Sequence, residues 1–166
     1  EHEAEFAPLK RARTPHRVLV VGGGPAGLEA ARVAALRGHD VTLYERESQL
    51  GGAIRLAAAA PGRERLALAV DWLERQVRAL EVTIRTEMDM TAEQIGQESP
   101  DAVIVAVGGL PGQQTGVRFH PNAPLINPRQ VMHGEVPTSP GRAVILDTLG
   151  DPVGMAVTEW LAERGW

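Results

Sequence analysis

Short apolar runs alternate with longer amphipathic runs along this chain. The apolar runs predict five strands, at Arg17–Val21, Asp40–Glu45, Glu81–Arg85, Asp101–Val107 and Arg142–Asp147. The amphipathic runs predict helices at Pro25–Leu36 and Arg63–Leu80, a short helix beginning at Thr91, and a helical run that ends at Arg164. Strands that alternate with helices in this order predict an α/β fold, in which helices cover both faces of a parallel sheet.

The first predicted strand runs directly into a glycine-rich turn and a helix. Gly22, Gly24 and Gly27 have the Gly-x-Gly-x-x-Gly spacing, which serves a tight turn, close approach to a pyrophosphate, and close packing of helix on strand. Pro25 is tolerated in the first helical turn, and Ala26 adds a backbone amide there. The motif predicts a Rossmann-like dinucleotide site, whereas the alternative is a turn that only packs the helix on the strand.

Glu45 ends the second predicted strand, about 20 residues after the glycines, where such folds place an acid on the ribose diol. A carboxylate there disfavours a 2′-phosphate, so the site is expected to hold FAD, ADP or NAD and not NADP. The alternative for Glu45 is a solvated acid at a strand end. Arg46 either lies along the adenine or pairs with Glu47 in solvent.

Ala106, Val107 and Gly108 lie at the end of the fourth predicted strand. Ligands of doubly wound folds bind at the carboxyl edge of the sheet, so we expect these three residues to line the nucleotide pocket. Gly51 and Gly52 follow the second strand in a loop, and a glycine pair allows the backbone to come close to another group.

Composition narrows the classes of function. The chain has 166 residues, 43% of them hydrophobic, and a net charge of −4 without a basic block, which gives no support for nucleic acid or a membrane surface as partner. It has no cysteine, so any redox chemistry needs a bound organic cofactor. The five histidines lack metal-ligand spacing, and no Ser-His-Asp order is present, so we expect neither a metal site nor catalysis by side chains of this chain. No apolar run approaches the ~20 residues of a membrane span, and a cytoplasmic location is expected.

These patterns predict four regions. Residues 1–16 form an extended lead-in, 17–112 the first dinucleotide-binding domain, 113–141 a crossing segment on the surface, and 142–166 the start of a second nucleotide-binding domain. The turn after Asp147 departs from Gly-x-Gly-x-x-Gly, and the sequence ends before the strand that would follow its helix. We therefore expect a second, incomplete Rossmann unit in a polypeptide that is cut within a domain.

Four segments together resemble one family of flavoproteins. They are similar to the C-terminal nucleotide-binding part of trimethylamine dehydrogenase, histamine dehydrogenase and bacterial 2,4-dienoyl-CoA reductase, which are relatives of old yellow enzyme. The segments are Val20–Ala31, Gly38–Glu45, Leu50–Gly52 and Ala106–Gly109. The trimethylamine dehydrogenase branch is favoured by Asp147 with Gly150 and Gly154, because its second unit looks similarly relaxed.

The resemblance adds candidate site residues. It implies that Gly51 and Gly52 approach the pyrophosphate, with a simple turn as the alternative, and that the backbone at Met88 brackets the adenine. Arg55 either reaches a phosphate from the glycine-pair loop or is a surface arginine.

The resemblance also implies cofactors and partners. In this family an FMN-bearing barrel and a cysteine-ligated [4Fe-4S] cluster precede the region, so they are expected on a missing segment or a partner chain. Reductase members bind FAD and then NAD(P)H here, whereas trimethylamine dehydrogenase holds only ADP in the first unit. We expect a part of a flavin-dependent oxidoreductase that holds FAD, relays electrons, and belongs to an oligomer that an electron-transfer protein also contacts. The alternative is an ADP-binding docking module without a redox role.

Overall fold

The computed structural model describes residues 9–109 and 117–166. These residues form two compact units, of which the first comprises residues 9–55 and 67–108, and the second residues 56–66, 109 and 117–166. The predicted lead-in and the boundary between the first domain and the crossing segment fall partly on residues 1–8 and 110–116, outside the described ranges. The predicted domain bounds stay predictions.

The first unit contains a four-stranded parallel sheet. Its strands are β1 (Arg17–Val21), β2 (Asp40–Tyr44), β3 (Thr83–Arg85) and β4 (Ala102–Val105), in the order β3-β2-β1-β4. Val21 pairs with Tyr44 on one side and Val105 on the other, so the strands end together at one edge. The predicted α/β, Rossmann-like fold is confirmed, and β4 lies beside β1 as expected.

Three predicted strands are shorter than expected, and the second is shorter by one residue because it ends at Tyr44. The third strand was predicted from Glu81, but Glu81 has a φ of 59° and Val82 donates its N–H to the carbonyl of Val77, which closes the preceding helix. The fourth was predicted to Val107, but it ends at Val105, the partner of the last residue of β1.

Helices of the first unit cover both faces of its sheet. They are α1 (Pro25–Leu36), α2 (Ala53–Ala58), which ends among residues of the second unit, α3 (Ala67–Ala79), which follows a 3-10 turn at Glu64–Leu66, and α4 (Ala92–Glu98). One face buries Leu28 and Val77 against Val20, a core of branched apolar side chains typical of a central parallel strand. The other face packs Tyr44 against the partly buried Ile95. The capping box predicted at Thr91 and Gln94 starts α4.

The second unit has a small core of its own. Its helices α5 (Pro128–Met132) and α6 (Pro152–Ala162) bury Val131, Val157 and Trp160. α5 begins at a capping box formed by Asn127 and Gln130, inside the segment predicted to be a surface crossing.

The predicted strand at Arg142–Asp147 is wrong. No strand forms over residues 142–147, and Val144 is 93% exposed. A strand needs a neighbour to pair its backbone N–H and C=O groups, and none of the described strands pairs with this run. The apolar run is therefore extended chain followed by α6.

No helix within the described ranges is long and apolar enough to cross a membrane.

Candidate nucleotide-binding site

Two glycines let the turn after β1 pack more tightly than any other residue would allow. Gly22 has a φ of 108° and donates its N–H to the carbonyl of Tyr44 at 2.8 Å, and a Cβ there would overlap the carbonyl oxygen of Ala106. A Cβ on Gly27 would overlap the carbonyl oxygen of Gly22. The first glycine therefore makes the turn and the third brings α1 against it, as the motif predicts.

Gly24 has a different environment. Apart from Gly24 and its two chain neighbours, no described residue has an atom within 4 Å of the position that a Cβ on Gly24 would take. It is the N-cap of α1, no side chain caps the helix there, and Pro25 follows as the first helical residue. The carbonyl of Gly24 accepts the N–H of Leu28 at 2.9 Å, which is the first hydrogen bond of the helix. The N–H groups of Ala26 and Gly27 lie in the first turn, where the helix itself offers them no carbonyl acceptor. This end of α1 combines space with oriented amides and positive dipole charge, which suits a phosphate.

The carboxylate of Glu45 lies against the same turn. One oxygen, Oε2, accepts the N–H of Gly23 at 2.6 Å, while Oε1 accepts the N–H of Glu47 at 2.9 Å, and the residue is only 7% exposed. Glu45 is therefore not the solvated acid of the alternative interpretation. A carboxylate has about four lone-pair sites, so two stay available for the hydroxyls of a ribose.

Gly23 is a residue of the site that sequence reasoning missed. A Cβ there would lie 2.5 Å from Leu50 Cδ2 and 3.0 Å from Glu45 Oε2. The motif writes this position as any residue, yet the unbroken run of three glycines was a signal that it also requires close approach.

The glycine pair, Gly51 and Gly52, lies close to the glycine turn that follows β1. Gly51 has a φ of 117° and donates its N–H to the carbonyl of Gly23 at 2.8 Å. A Cβ on Gly52 would lie 3.2 Å from the Cα of Gly24. The pair thus forms one wall beside the open position at Gly24, and its contact with a pyrophosphate stays a prediction.

Both candidate arginines pair with acids of the chain. Arg55 lies 2.9 Å from Asp71 and 3.1 Å from Glu74, and its Nε donates to the carbonyl of Leu50. The predicted phosphate contact of Arg55 gains no support from this arrangement. Arg46 lies 3.5 Å from Glu47 with both side chains about half exposed, which matches the solvated alternative.

The other predicted residues lie along the same edge of the sheet. Met88 donates its N–H to the carbonyl of Glu45 at 2.9 Å, and Ala106 donates to the carbonyl of Val21 at 2.8 Å. Val107 is 64% exposed, and Gly108 beside it has a φ of 73°. The topology therefore brings these residues to the edge where the glycine turn lies, and their contact with a ligand stays a prediction.

The turn before α6 does not offer the same site. Asp147 Oδ1 accepts the N–H groups of Leu149 at 3.0 Å and Gly150 at 2.8 Å, and the side chain of Asp151 caps α6 by accepting from Val153 at 2.8 Å. A Cβ on Gly154 would lie 2.5 Å from Asp147 Oδ2. Carboxylates of the chain therefore accept three of the N–H groups at this turn, those of Leu149, Gly150 and Val153.

Three ionisable groups of the first unit have shifted pKa values, namely Glu29 and Arg32 on α1 and Tyr44 in β2. The hydrogen bond to Glu29 raises the pKa of Arg32. The hydrogen bond from Arg32 lowers the pKa of Glu29 on α1. Burial, followed by a hydrogen bond to Glu98, raises the pKa of the Tyr44 hydroxyl. Within the described ranges, no three His, Asp or Glu side chains come together as metal ligands do.

Comparison with known proteins agrees with this geometry. Residues 20–80 match the family described as NAD(P)-binding Rossmann-like domain. The chain is 40% identical over 158 residues to a probable N-methylproline demethylase of Rhizobium meliloti (strain 1021), across 95% of this chain and 23% of that protein. It is 36% identical over 165 residues to an NADH oxidase of Thermoanaerobacter brockii, across 98% of this chain and 25% of that protein.

A solved structure of histamine dehydrogenase from Rhizobium sp. 4-9 matches the fold with a TM-score of 0.86 and 29% identity, over 94% of this chain and 26% of that chain. These comparisons fit the trimethylamine and histamine dehydrogenase family. The chain is similar to the nucleotide-binding region of that family, and its relatives are flavin-dependent oxidoreductases. The chain spans about a quarter of the length of these relatives. Which branch of the family it belongs to stays a prediction.

Proposed function

We propose that this chain is the nucleotide-cofactor-binding part of a flavin-dependent oxidoreductase and that its first unit holds FAD by the ADP half. The observation that carries the proposal is the open position at Gly24, at an end of α1 that no side chain caps, with the Glu45 carboxylate at the same turn. A phosphate and a ribose are the groups that need such donors and such an acceptor.

The roles of the residues follow from their positions. The backbone from Gly22 to Gly27 would hold the pyrophosphate, Glu45 the ribose diol, and Met88 the adenine side of the site. Ala106–Gly108 would line the pocket further along the sheet edge. When bound, FAD supplies the hydride and electron chemistry, while this chain binds it, orients it and keeps water from its ADP half.

The remaining partners are part of the same proposal. The chain has no cysteine, so an iron-sulfur cluster that exchanges electrons with this FAD must be ligated elsewhere. We infer that an FMN-bearing barrel and a [4Fe-4S] cluster lie on another segment or a partner chain. An electron-transfer protein would contact the assembled oligomer, in the cytoplasm.

A second candidate function is an ADP-binding docking module without a redox role. It is favoured by the turn before α6, where Asp147 and Asp151 occupy the amides that a nicotinamide nucleotide would need.

Extraction of the bound nucleotide separates the two functions. The purified protein is denatured in acid, and the released nucleotide is quantified by chromatography against the protein. FAD near one equivalent, with flavin absorbance before denaturation, is the expected result. ADP without flavin favours the docking module, and release of neither nucleotide, together with no binding of added FAD or ADP, overturns both.

A further inference from the structure

The guanidinium of Arg55 joins the glycine-pair loop to α3. Its Nη1 lies 2.9 Å from Asp71 Oδ1 and its Nη2 3.1 Å from Glu74 Oε2, both on α3. Its Nε donates to the carbonyl of Leu50, the residue directly before the pair. The planar guanidinium has its donors in a fixed fork, so these three bonds fix the position of the Leu50 carbonyl relative to the helix.

The loop that Arg55 holds is in contact with the glycine turn. Leu50 is 2% exposed, and the next residue, Gly51, donates its N–H to the carbonyl of Gly23 at 2.8 Å. Gly23 in turn donates its own N–H to Glu45. A continuous series of bonds therefore runs from α3 through Arg55 and the loop to the turn that carries Gly24.

The charges around Arg55 argue against a direct contact with phosphate. Asp71 and Glu74 are both within ion-pair distance of it, and Arg78 pairs with Glu74 at 2.8 Å. The four side chains form a cluster with no net charge, and Arg55 is only 30% exposed. A guanidinium in this setting attracts an added anion weakly, because its partners already balance its charge.

We propose that Arg55 is a positioning residue for the nucleotide site, acting through the Leu50 carbonyl and Gly51 and not by touching the ligand. The inference rests on the proposed function, since it requires a pyrophosphate at the turn. It assigns to Asp71 and Glu74 the same indirect role.

The first test compares Arg55→Gln with Arg78→Gln in the full chain. Both changes remove one arginine from Glu74, but only Arg55 holds the loop, so Arg78→Gln is the matched control. We expect ADP to bind about tenfold more weakly to Arg55→Gln, the order expected when a charge-assisted hydrogen bond that holds a loop is lost, and unchanged to the control. Isothermal titration with ADP and with adenosine measures both affinities.

Adenosine separates positioning from a general loss of folding. A variant that is partly unfolded loses both ligands in proportion, whereas a displaced glycine-pair loop lowers affinity for ADP and leaves adenosine nearly unchanged. The ratio of the two dissociation constants is therefore expected to move for Arg55→Gln alone. Arg55→Lys keeps the charge without the fork, and it serves if Arg55→Gln does not fold, with an intermediate loss expected.

The second test asks whether ADP binds more weakly or more tightly when the negative charges beside Arg55 are removed. Asp71→Asn combined with Glu74→Gln removes two negative charges beside Arg55. If Arg55 acts through the loop, ADP binds more weakly to this double variant, although its net charge favours an anion. If Arg55 contacts phosphate directly, the released guanidinium binds ADP more tightly.

The outcomes separate the two proposals. Tighter binding in the double variant, or an Arg55→Gln variant that binds like Arg78→Gln, overturns the positioning role and leaves the proposed function intact. An unsubstituted chain that binds neither ADP nor FAD overturns the proposed function, and the positioning role with it.

Discussion

Two stretches of this chain place a glycine turn before a helix, and they differ in the source of the negative charge at the turn. At the turn before α1, the nearest carboxylate is Glu45, which reaches the N–H of Gly23 from the end of another strand and leaves Gly24 open. At the turn before α6, Asp147 lies inside the turn and accepts two of its N–H groups. The carboxylate at the first turn therefore comes from another strand, whereas the carboxylate at the second turn belongs to a residue of the turn itself.

The caps of the two helices differ in the same way. The N-cap of α1 is Gly24, and no side chain caps this helix. The N-cap of α6 is Asp151, whose carboxylate accepts the N–H of Val153. Helix amides without a side-chain partner suit an anion, whereas a side-chain cap satisfies one of them within the chain. Both stretches have a glycine turn followed by a helix, but they differ in the group that satisfies the first amides of the helix.

The largest effect is expected at the first turn, from a methyl group added at Gly27. A Cβ there would overlap the carbonyl oxygen of Gly22, and overpacking of this kind costs about 1–3 kcal/mol or more. Gly27→Ala should therefore lower the thermal midpoint by several degrees and abolish ADP binding. Circular dichroism on heating and titration with ADP measure the two effects.

Gly24→Ala is the matched control for that change. It adds the same methyl group where no described residue other than the chain neighbours lies within 4 Å, at a φ of −71° that alanine adopts readily. We expect the thermal midpoint to stay close to that of the unsubstituted chain while ADP binds at least about tenfold more weakly. ADP binding that survives Gly24→Ala would show that the ligand does not use the open position.

A smaller effect is expected from exchanging carboxylate for amide in each turn. Glu45→Gln removes one acceptor and directs an NH₂ group at a backbone N–H, and loss of a buried hydrogen bond costs about 1–3 kcal/mol. We expect weaker ADP binding and lower stability in urea unfolding. Asp147→Asn makes the same chemical change in the second turn, and there we expect ADP affinity to stay unchanged.

The proposed difference between the two turns would be wrong if Glu45→Gln and Asp147→Asn had the same effect on nucleotide binding. Equal loss of ADP affinity in Glu45→Gln and Asp147→Asn would mean that both turns contribute to one nucleotide site. A gain of nicotinamide-nucleotide binding in Asp147→Asn would mean that the aspartate alone excludes a phosphate from the second turn.

The sequence predicted local features of the first unit well. The apolar period located β1 and β2, the glycine motif located the start of α1, and the Thr91 capping box located α4. The motif also identified Gly22 and Gly27, which are sterically required, but not Gly23, whose partners Glu45 and Leu50 come from other parts of the chain. Signals carried by adjacent residues are readable, while a contact between distant residues is not.

Non-local contacts explain the remaining differences. The run at 142–147 has the composition of a strand, but a strand depends on a neighbour that no local pattern supplies. The sequence left Arg55 either at a phosphate or on the surface, and it could not show the ion pairs with Asp71 and Glu74 on α3. The capping box at Asn127 could have been found, since it has the same spacing as the one at Thr91.

The smallest effect is expected on stability, from an ion pair on α1, the helix that follows the first turn, and this effect depends on pH. The bond from Arg32 lowers the pKa of Glu29, so the pair stabilises the folded chain above the unfolded carboxyl value of about 4.3, and this contribution is lost as the pH falls through the lower folded value. Glu29→Gln should cost about 0.2–0.5 kcal/mol near neutral pH, since the glutamate is half exposed, and almost nothing at about pH 3. Urea unfolding across this pH range measures the difference. Glu163→Gln after α6 is the control, because its carboxylate lies 3.9 Å from Arg164, and a loss as large there would mean that the Glu29 pair has no particular role in holding α1.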